Sequence, residues 1–268
     1  MIVIKKTKCI LVLIALAIGL TGCNWRVSPE ELLEPPKLFE EDERISSMLE
    51  ESLSEDAKLE NISSDQGLSA VKKSDIDGDG KNEVLVFYSK EQEGSLHMSV
   101  FEESGGSYEV VLEEEVPGRL FEEMMLADVT GDGLKELVIN TSDKRSQTGR
   151  YKMSIYSYRK DPNKLFEIDY SKYVIYDLDK NGSSDIIILN QEERAISVDY
   201  YSFNRGSSQM EFISEDLLDK REVVDMSAVE REGGNARVAL EFYSQTEEME
   251  RVFLELDAEG KLKSEEED

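Results

Sequence analysis

A nine-residue acidic pattern recurs three times along the chain, and this recurrence constrains the fold more than any other feature. Residues 75–83 read DIDGDGKNE, residues 128–136 read DVTGDGLKE and residues 177–185 read DLDKNGSSD. The first residues of these segments lie 53 and 49 positions apart. Self-similarity at a period of tens of residues is typical of arrays built from one repeated supersecondary unit.

A further step of similar length reaches Asp225, and another apolar run follows at residues 238–243. Here Ser227 and Val229 occupy positions three and five of the pattern, and Arg237 stands in place of the ninth residue. The sequence therefore predicts a fourth repeat that lacks a metal site. Two accounts of Arg237 are open: its guanidinium replaces the cation, or its side chain is exposed to solvent.

The spacing of the acids indicates a cation site. Two carboxylates about 4 Å apart repel by roughly 1 kcal/mol even in bulk water, and calcium relieves such repulsion because it takes six to eight oxygen ligands. Glycines allow the tight turns that bring alternate side chains to one centre. An EF-hand would need a glutamate at position twelve on a helix. That position is Val86, inside the strand-like run 84–88, so the first segment leads into a β-strand.

The three segments resemble the calcium-binding loops of FG-GAP or VCBS-type repeats, whose pattern is D-x-[DN]-x-D-G-x-x-[DE]. The flanking Phe-Gly and Gly-Ala-Pro dipeptides of the FG-GAP branch are absent, so the VCBS-like group is the better match. The resemblance implies an all-β, β-propeller-like array of about four four-stranded blades. We expect blades to start near residues 69, 120, 172 and 222, with the fourth closing against the first. An open array and a ring completed by another chain are the alternatives.

The resemblance also implies a calcium ligand set, with side-chain oxygens at positions one, three, five and nine and a backbone carbonyl at position seven. The simpler alternative is a set of Asp/Gly-rich turns that hold no metal. In the order of the loops, the implied ligands are Asp75, Asp77, Asp79, Glu83 and the Lys81 carbonyl in loop one (75–83); Asp128, Thr130, Asp132, Glu136 and the Leu134 carbonyl in loop two (128–136); and Asp177, Asp179, Asn181, Asp185 and the Ser183 carbonyl in loop three (177–185).

Strand and turn signals predict four strands in each repeat. The strand after each loop is almost continuously apolar, as at 84–87 and 186–189, and such runs are buried on both faces. The third strand of a repeat, as at 152–158, alternates between polar and apolar residues, which predicts that it is half exposed.

Residues 1–22 read as a signal peptide that is removed. Lys5, Lys6 and Lys8 precede an apolar segment at 10–20, which is too short to span a bilayer. The segment ends in Leu-Thr-Gly-Cys, which resembles the lipobox of bacterial lipoproteins and implies that Cys23 becomes lipid-modified. The protein would then be anchored on the extracytoplasmic face of the cell membrane. The alternative is an ordinary secretory signal with a chance cysteine.

The remaining segments are a tether at 23–36, an amphipathic helix at 37–60, the repeat domain at 62–262 and an acidic tail at 263–268. Three prolines favour an extended tether. The helix carries an apolar stripe and either packs on the domain or docks a partner. We expect the tail to be disordered.

Net charge and the absence of catalytic motifs narrow the range of functions that the sequence supports. A formal net charge of −28 disfavours nucleic acid and anionic lipid as partners. His97 is the only histidine, and no nucleophile elbow, zinc-protease motif or phosphate-binding glycine loop occurs. We therefore predict a surface-anchored calcium-binding module, without enzyme activity, for a protein or glycan ligand. The alternatives are an envelope enzyme acting on polysaccharide, which a concave pocket with converging acids outside the loops would favour, and a calcium-responsive accessory subunit of an envelope complex.

Overall fold

The computed structural model describes residues 43–63, 69–143, 151–158, 162–192, 195–218, 222–231, 236–243 and 248–265, all within one compact unit, Leu38–Asp268. The predicted signal peptide, the tether and Cys23 lie outside these residues. No helix among the described residues is long and apolar enough to cross a membrane.

The chain forms one helix and then antiparallel sheets. Helix α1 spans Glu43–Ser52 and buries Ile45, Met48 and Leu49, which share one face at helical spacing. Residues 37–42 of the predicted range 37–60 lie outside the described residues, and at its other end residues 57–59 form a short strand instead of helix. This strand, β1 (Ala57–Leu59), pairs antiparallel with the strand that follows loop one.

Sixteen further strands form the four predicted groups of four, each in sequential antiparallel order. Sheet one contains β2 (Val71–Ser74), β3 (Glu83–Lys90), β4 (Ser95–Ser104) and β5 (Ser107–Val116), with β1 beside β3; sheet two contains β6 (Leu120–Ala127), β7 (Glu136–Ser142), β8 (Tyr151–Ser157) and β9 (Asn163–Tyr170); sheet three contains β10 (Lys172–Tyr176), β11 (Asp185–Gln191), β12 (Ile196–Asn204) and β13 (Gln209–Leu218); sheet four contains β14 (Val223–Val229), β15 (Arg237–Tyr243), β16 (Met249–Leu256) and β17 (Leu262–Glu265).

Consecutive sheets pack face to face, because alternate residues of a strand point to opposite sides of its sheet. Phe87 of sheet one meets Phe121 of sheet two with ring centroids 5.2 Å apart. Ile155 and Ile188 join sheets two and three, and sheets three and four enclose a cluster that includes Leu240. Leu240 is 0% exposed, which confirms that the fourth repeat has a core strand.

The two ends of the array are covered differently, and no closed ring is found. Helix α1 packs on the outer face of sheet one, against a cluster that includes Val84 and Val86. On sheet four the Arg237 guanidinium lies 3.3 Å from the centroid of the Phe253 ring, with its side chain 24% exposed, so it is not a solvent-exposed arginine. Among the described residues, no hydrophobic cluster joins sheet four to sheet one.

Two other expectations were wrong. The third strand of sheet two is buried through most of its length rather than half exposed, because β8 lies between β7 and β9 and sheets pack on both of its faces. Residues 263–265 of the predicted disordered tail belong to β17, which Leu262 anchors in the core and β16 holds by backbone pairing.

Candidate metal centre

Each acidic loop joins the first and second strands of its sheet, and the three loops share one backbone conformation. Positions four and six have positive φ in every loop, a region that favours glycine. Five of these six positions are glycines, and the sixth is Lys180 with φ 58°. The glycine positions are Gly78, Gly80, Gly131, Gly133 and Gly182.

The first acid of each loop organises this turn. In loop one the Asp75 carboxylate accepts hydrogen bonds from the Gly78 and Gly80 amides at 2.8 and 3.0 Å. Asp128 of loop two accepts from the corresponding amides at 2.7 and 2.9 Å. Asp177 of loop three accepts from the Asn181 and Gly182 amides, both at 3.0 Å. These bonds shape the loop without any metal.

The ninth acid closes each loop from the start of the following strand. Its carboxylate accepts a hydrogen bond from the amide of the second loop residue, at 2.8 Å in loop one, 2.9 Å in loop two and 3.0 Å in loop three. All three acids are buried, since Glu83, Glu136 and Asp185 are at most 3% exposed. A buried carboxylate needs a compensating charge or a proton.

Loops one and three bring three carboxylates together. Asp75, Asp77 and Glu83 each offer an oxygen within 4.8 Å of the other two, and so do Asp177, Asp179 and Asp185. The described residues contain no other group of three carboxylate, histidine or cysteine ligands at such distances. Hard oxygen donors at this separation match the preference of calcium or magnesium, so these donor sets fit a divalent cation.

The pKa shifts of the ninth acids in loops one and three also fit a bound cation. Burial, followed by the charges of neighbouring loop acids, raises the pKa of Glu83. Burial is also the largest cause that raises the pKa of Asp185 to about 6, and Asp179 adds to the shift. A carboxylate whose ionised form is disfavoured in this way is stabilised by a bound cation or by a proton.

The fifth and seventh positions interact with each other. The position-seven amides of Lys81, Leu134 and Ser183 donate to the side chains of Asp79, Asp132 and Asn181 at 2.7, 3.0 and 2.8 Å. The position-five residues are outside the two carboxylate groups. Their role as ligands, and that of the three position-seven carbonyls, stays a prediction.

Loop two keeps the turn but differs in its side chains. Thr130 occupies position three and donates from its hydroxyl to Glu136 at 3.3 Å. The Arg205 guanidinium, from the turn between β12 and β13, donates to the carbonyls of Thr130 and Gly131 at 3.4 and 2.8 Å. Burial raises the pKa of Glu136 as well. A side chain 75 positions away therefore brings a positive charge to loop two, and no local pattern in the sequence predicts it.

The three loops lie next to one another. The Ser184 amide of loop three donates to the Asp128 carbonyl of loop two at 2.7 Å. A Cβ added at Gly78 of loop one would lie 2.9 Å from Leu134 of loop two. An open cavity of about 1040 Å³ lies between loops one and two, with Tyr158 in its wall. The Tyr158 hydroxyl donates to Glu102 at 2.6 Å. The metal sites would thus share one edge of the array.

No protein-family model matches the chain, and no curated protein matches its sequence. The resemblance to VCBS-like repeats therefore rests on the residues of the three loops.

Proposed function

We propose that the chain is a calcium-binding β-repeat lipoprotein of the bacterial cell envelope that acts as a binding or scaffolding module for a protein or glycan ligand. The four stacked sheets would be blades of an open, propeller-like array. The observation that supports calcium binding best is the pair of three-carboxylate groups in loops one and three. Calcium suits them because it accepts several carboxylate oxygens in a flexible shell.

Counting bound calcium by equilibrium dialysis tests the metal proposal. Wild type should bind two calcium ions, one at loop one and one at loop three, and Asp77→Ala and Asp179→Ala should each lose one. Asp169→Ala is the matched control, because Asp169 of β9 is an exposed carboxylate that pairs with Lys152 of β8. The losses in the two variants assign the ions to loops one and three, and a wild-type count of three would mean that loop two also holds an ion. No saturable binding, or equal binding by all variants, would refute the proposal.

Chelation should lower the melting temperature of wild type. A ligand that binds only the folded state stabilises it by about 2.7 kcal/mol per site at a concentration 100 times its Kd. The sequence offers Cys9 and Cys23 as its only cysteines, so calcium would take the place of an internal disulfide. A melting temperature that is identical in excess calcium and in chelator contradicts a structural role for the ion.

The membrane anchor is a separate proposal that rests on the lipobox-like segment before Cys23. Cys23→Ser should abolish incorporation of labelled fatty acid and either release the chain or leave its precursor uncleaved. Cys9→Ser is the control, since Cys9 lies in the segment that would be removed. Equal labelling of Cys23→Ser and wild type rules out this anchor.

One observation favours the alternative of an envelope enzyme. A second, smaller cavity outside the loops contains Glu122, Glu123 and Asp225 in its wall, and paired carboxylates are the groups that hydrolyse glycosidic bonds. Release of reducing ends from envelope polysaccharide by wild type, and its loss in Glu122→Gln, would establish this activity. Without such release the binding module remains the proposed function.

A further inference from the structure

The smaller cavity lies where the first strands of three consecutive sheets come together. It has a volume of about 360 Å³. Glu122 and Glu123 come from β6, Lys172 and Tyr173 from β10, and Asp225 from β14. Three carboxylates and one ammonium therefore line this space, which leaves it with an excess of negative charge.

Tyrosines and one buried amide form the deeper part of the wall. The rings of Tyr151 and Tyr170 stack with centroids 5.5 Å apart, and the ring of Tyr173 meets Tyr170 edge-on at 5.1 Å. Burial, followed by Tyr173, Glu123, Tyr151 and Glu122, raises the pKa of the Tyr170 hydroxyl. Phenolic oxygens and carboxylates are thus crowded together, an environment that favours a positive charge.

Asn140 supplies a buried acceptor without a partner. Its Nδ2 donates to Glu123 at 3.3 Å and to the Tyr173 hydroxyl at 3.1 Å, and Tyr173 donates to the same carboxylate at 2.5 Å. These bonds fix the amide, yet its Oδ1 accepts no hydrogen bond from any described residue, and Asn140 is 0% exposed. Buried carbonyl oxygens are rarely left in this state, so this amide, whose residue lines the cavity, lacks one N–H or O–H donor.

The acids of this cavity are arranged unlike those of the loops. Glu122, Glu123 and Asp225 do not bring three oxygens within 4.8 Å of one another, as both loop groups do. One small metal ion cannot reach carboxylates that are spread around a cavity of this size. A larger cation can contact carboxylates and aromatic rings together.

We propose that this cavity binds an organic cation that carries N–H donors, an alkylammonium or a guanidinium. Its charge would be balanced by Glu122, Glu123 and Asp225, its N–H would complete the Asn140 amide, and its alkyl part would contact the tyrosines. The ligand can be a free amine or the side chain of a lysine or arginine in a protein partner. The proposal is independent of calcium, and it competes with the enzyme candidate because it uses the carboxylates as ion partners.

The proposal is tested by titrating the full chain with n-butylammonium and detecting binding by saturation-transfer NMR. Binding should be saturable and weaken by about tenfold or more in Glu123→Gln, since a hydrogen bond to a charged group is lost. Tetramethylammonium has no N–H and should bind more weakly. A peptide with one central lysine, compared with its acetyl-lysine form, distinguishes a partner side chain from a free amine.

Matched variants guard against a folding artefact. Glu109→Gln removes an exposed carboxylate from β5 and should bind like wild type, whereas the exposed rim variant Asp225→Asn should weaken binding without disturbing the core. A far-UV circular dichroism spectrum and a melting temperature like those of wild type show that each variant is folded. Equal binding by all variants overturns the proposal, as does binding by Lys172→Met alone, which would mean that Lys172 already fills the site. Full displacement by calcium in competition with n-butylammonium also overturns it.

Discussion

Loops two and three are neighbours with the same backbone turn, yet different groups lie near the buried ninth acid of each loop. In loop three Asp177, Asp179 and Asp185 converge within 4.8 Å. In loop two a threonine replaces the second of these acids, and the Arg205 guanidinium lies against the loop carbonyls. Both loops keep the turn through the hydrogen bonds of the first and ninth acids. We infer that position three, together with what packs on the loop, sets the capacity for a metal.

Removing the ninth acid of either loop should have the largest effect on the free energy of unfolding. Asp185 accepts from the Leu178 amide at 3.0 Å and the Tyr200 hydroxyl at 3.1 Å. Glu136 accepts from the Val129 and Thr130 amides at 2.9 and 3.3 Å. Each buried donor left unpaired costs about 1–3 kcal/mol. In excess calcium we therefore expect Asp185→Ala and Glu136→Ala each to lower the free energy of unfolding by about 3 kcal/mol or more.

Unfolding measured in a calcium chelator should distinguish these two variants. Denaturant unfolding should show a smaller deficit for Asp185→Ala in chelator than in calcium, because wild type has then lost the same ion. The deficit of Glu136→Ala should be the same in both conditions. Equal calcium dependence of the two deficits would mean that loops two and three hold metal alike.

Converting loop two into loop three is a sharper test with a smaller effect on stability. Thr130→Asp combined with Arg205→Gln supplies a third carboxylate and removes the neighbouring guanidinium. We expect this double variant to bind one more calcium than wild type in equilibrium dialysis and to melt below wild type in chelator, because like charges then lack a cation. Arg205→Gln alone is the control and should leave the count unchanged. An unchanged count in the double variant shows that position three does not limit metal binding.

Arg205→Gln should have the smallest effect on stability. Its guanidinium bonds two carbonyls of loop two from an exposed position, and a net hydrogen bond contributes about 0.5–1.5 kcal/mol. The loss should be independent of calcium in thermal melts. Arg119→Gln removes an exposed arginine elsewhere and should change stability less. A calcium-dependent loss in Arg205→Gln alone would instead tie Arg205 to a bound ion.

Local patterns in the sequence were sufficient to predict the repeating parts of this protein. The alternation and runs of apolar residues predicted sixteen strands in four groups, and the structure confirms both the grouping and the burial of the strands after the loops, including β15. The acidic pattern likewise predicted loops that bring their acids together before an apolar strand, and loops one and three each bring three carboxylates within 4.8 Å of one another. Such features depend on residues a few positions apart, so a local pattern carries them.

The elements that pack on these repeats could be identified only from the tertiary structure. Helix α1 covers the face of sheet one that a closed ring would present to sheet four, Arg205 reaches loop two from another sheet, and Asn140 meets Tyr173 across a sheet boundary. The short strand β1 and residues 263–265 of β17 were missed for the same reason. These contacts join residues that are distant in the chain, and their free energies depend on shape and charge at a surface that no local spacing encodes.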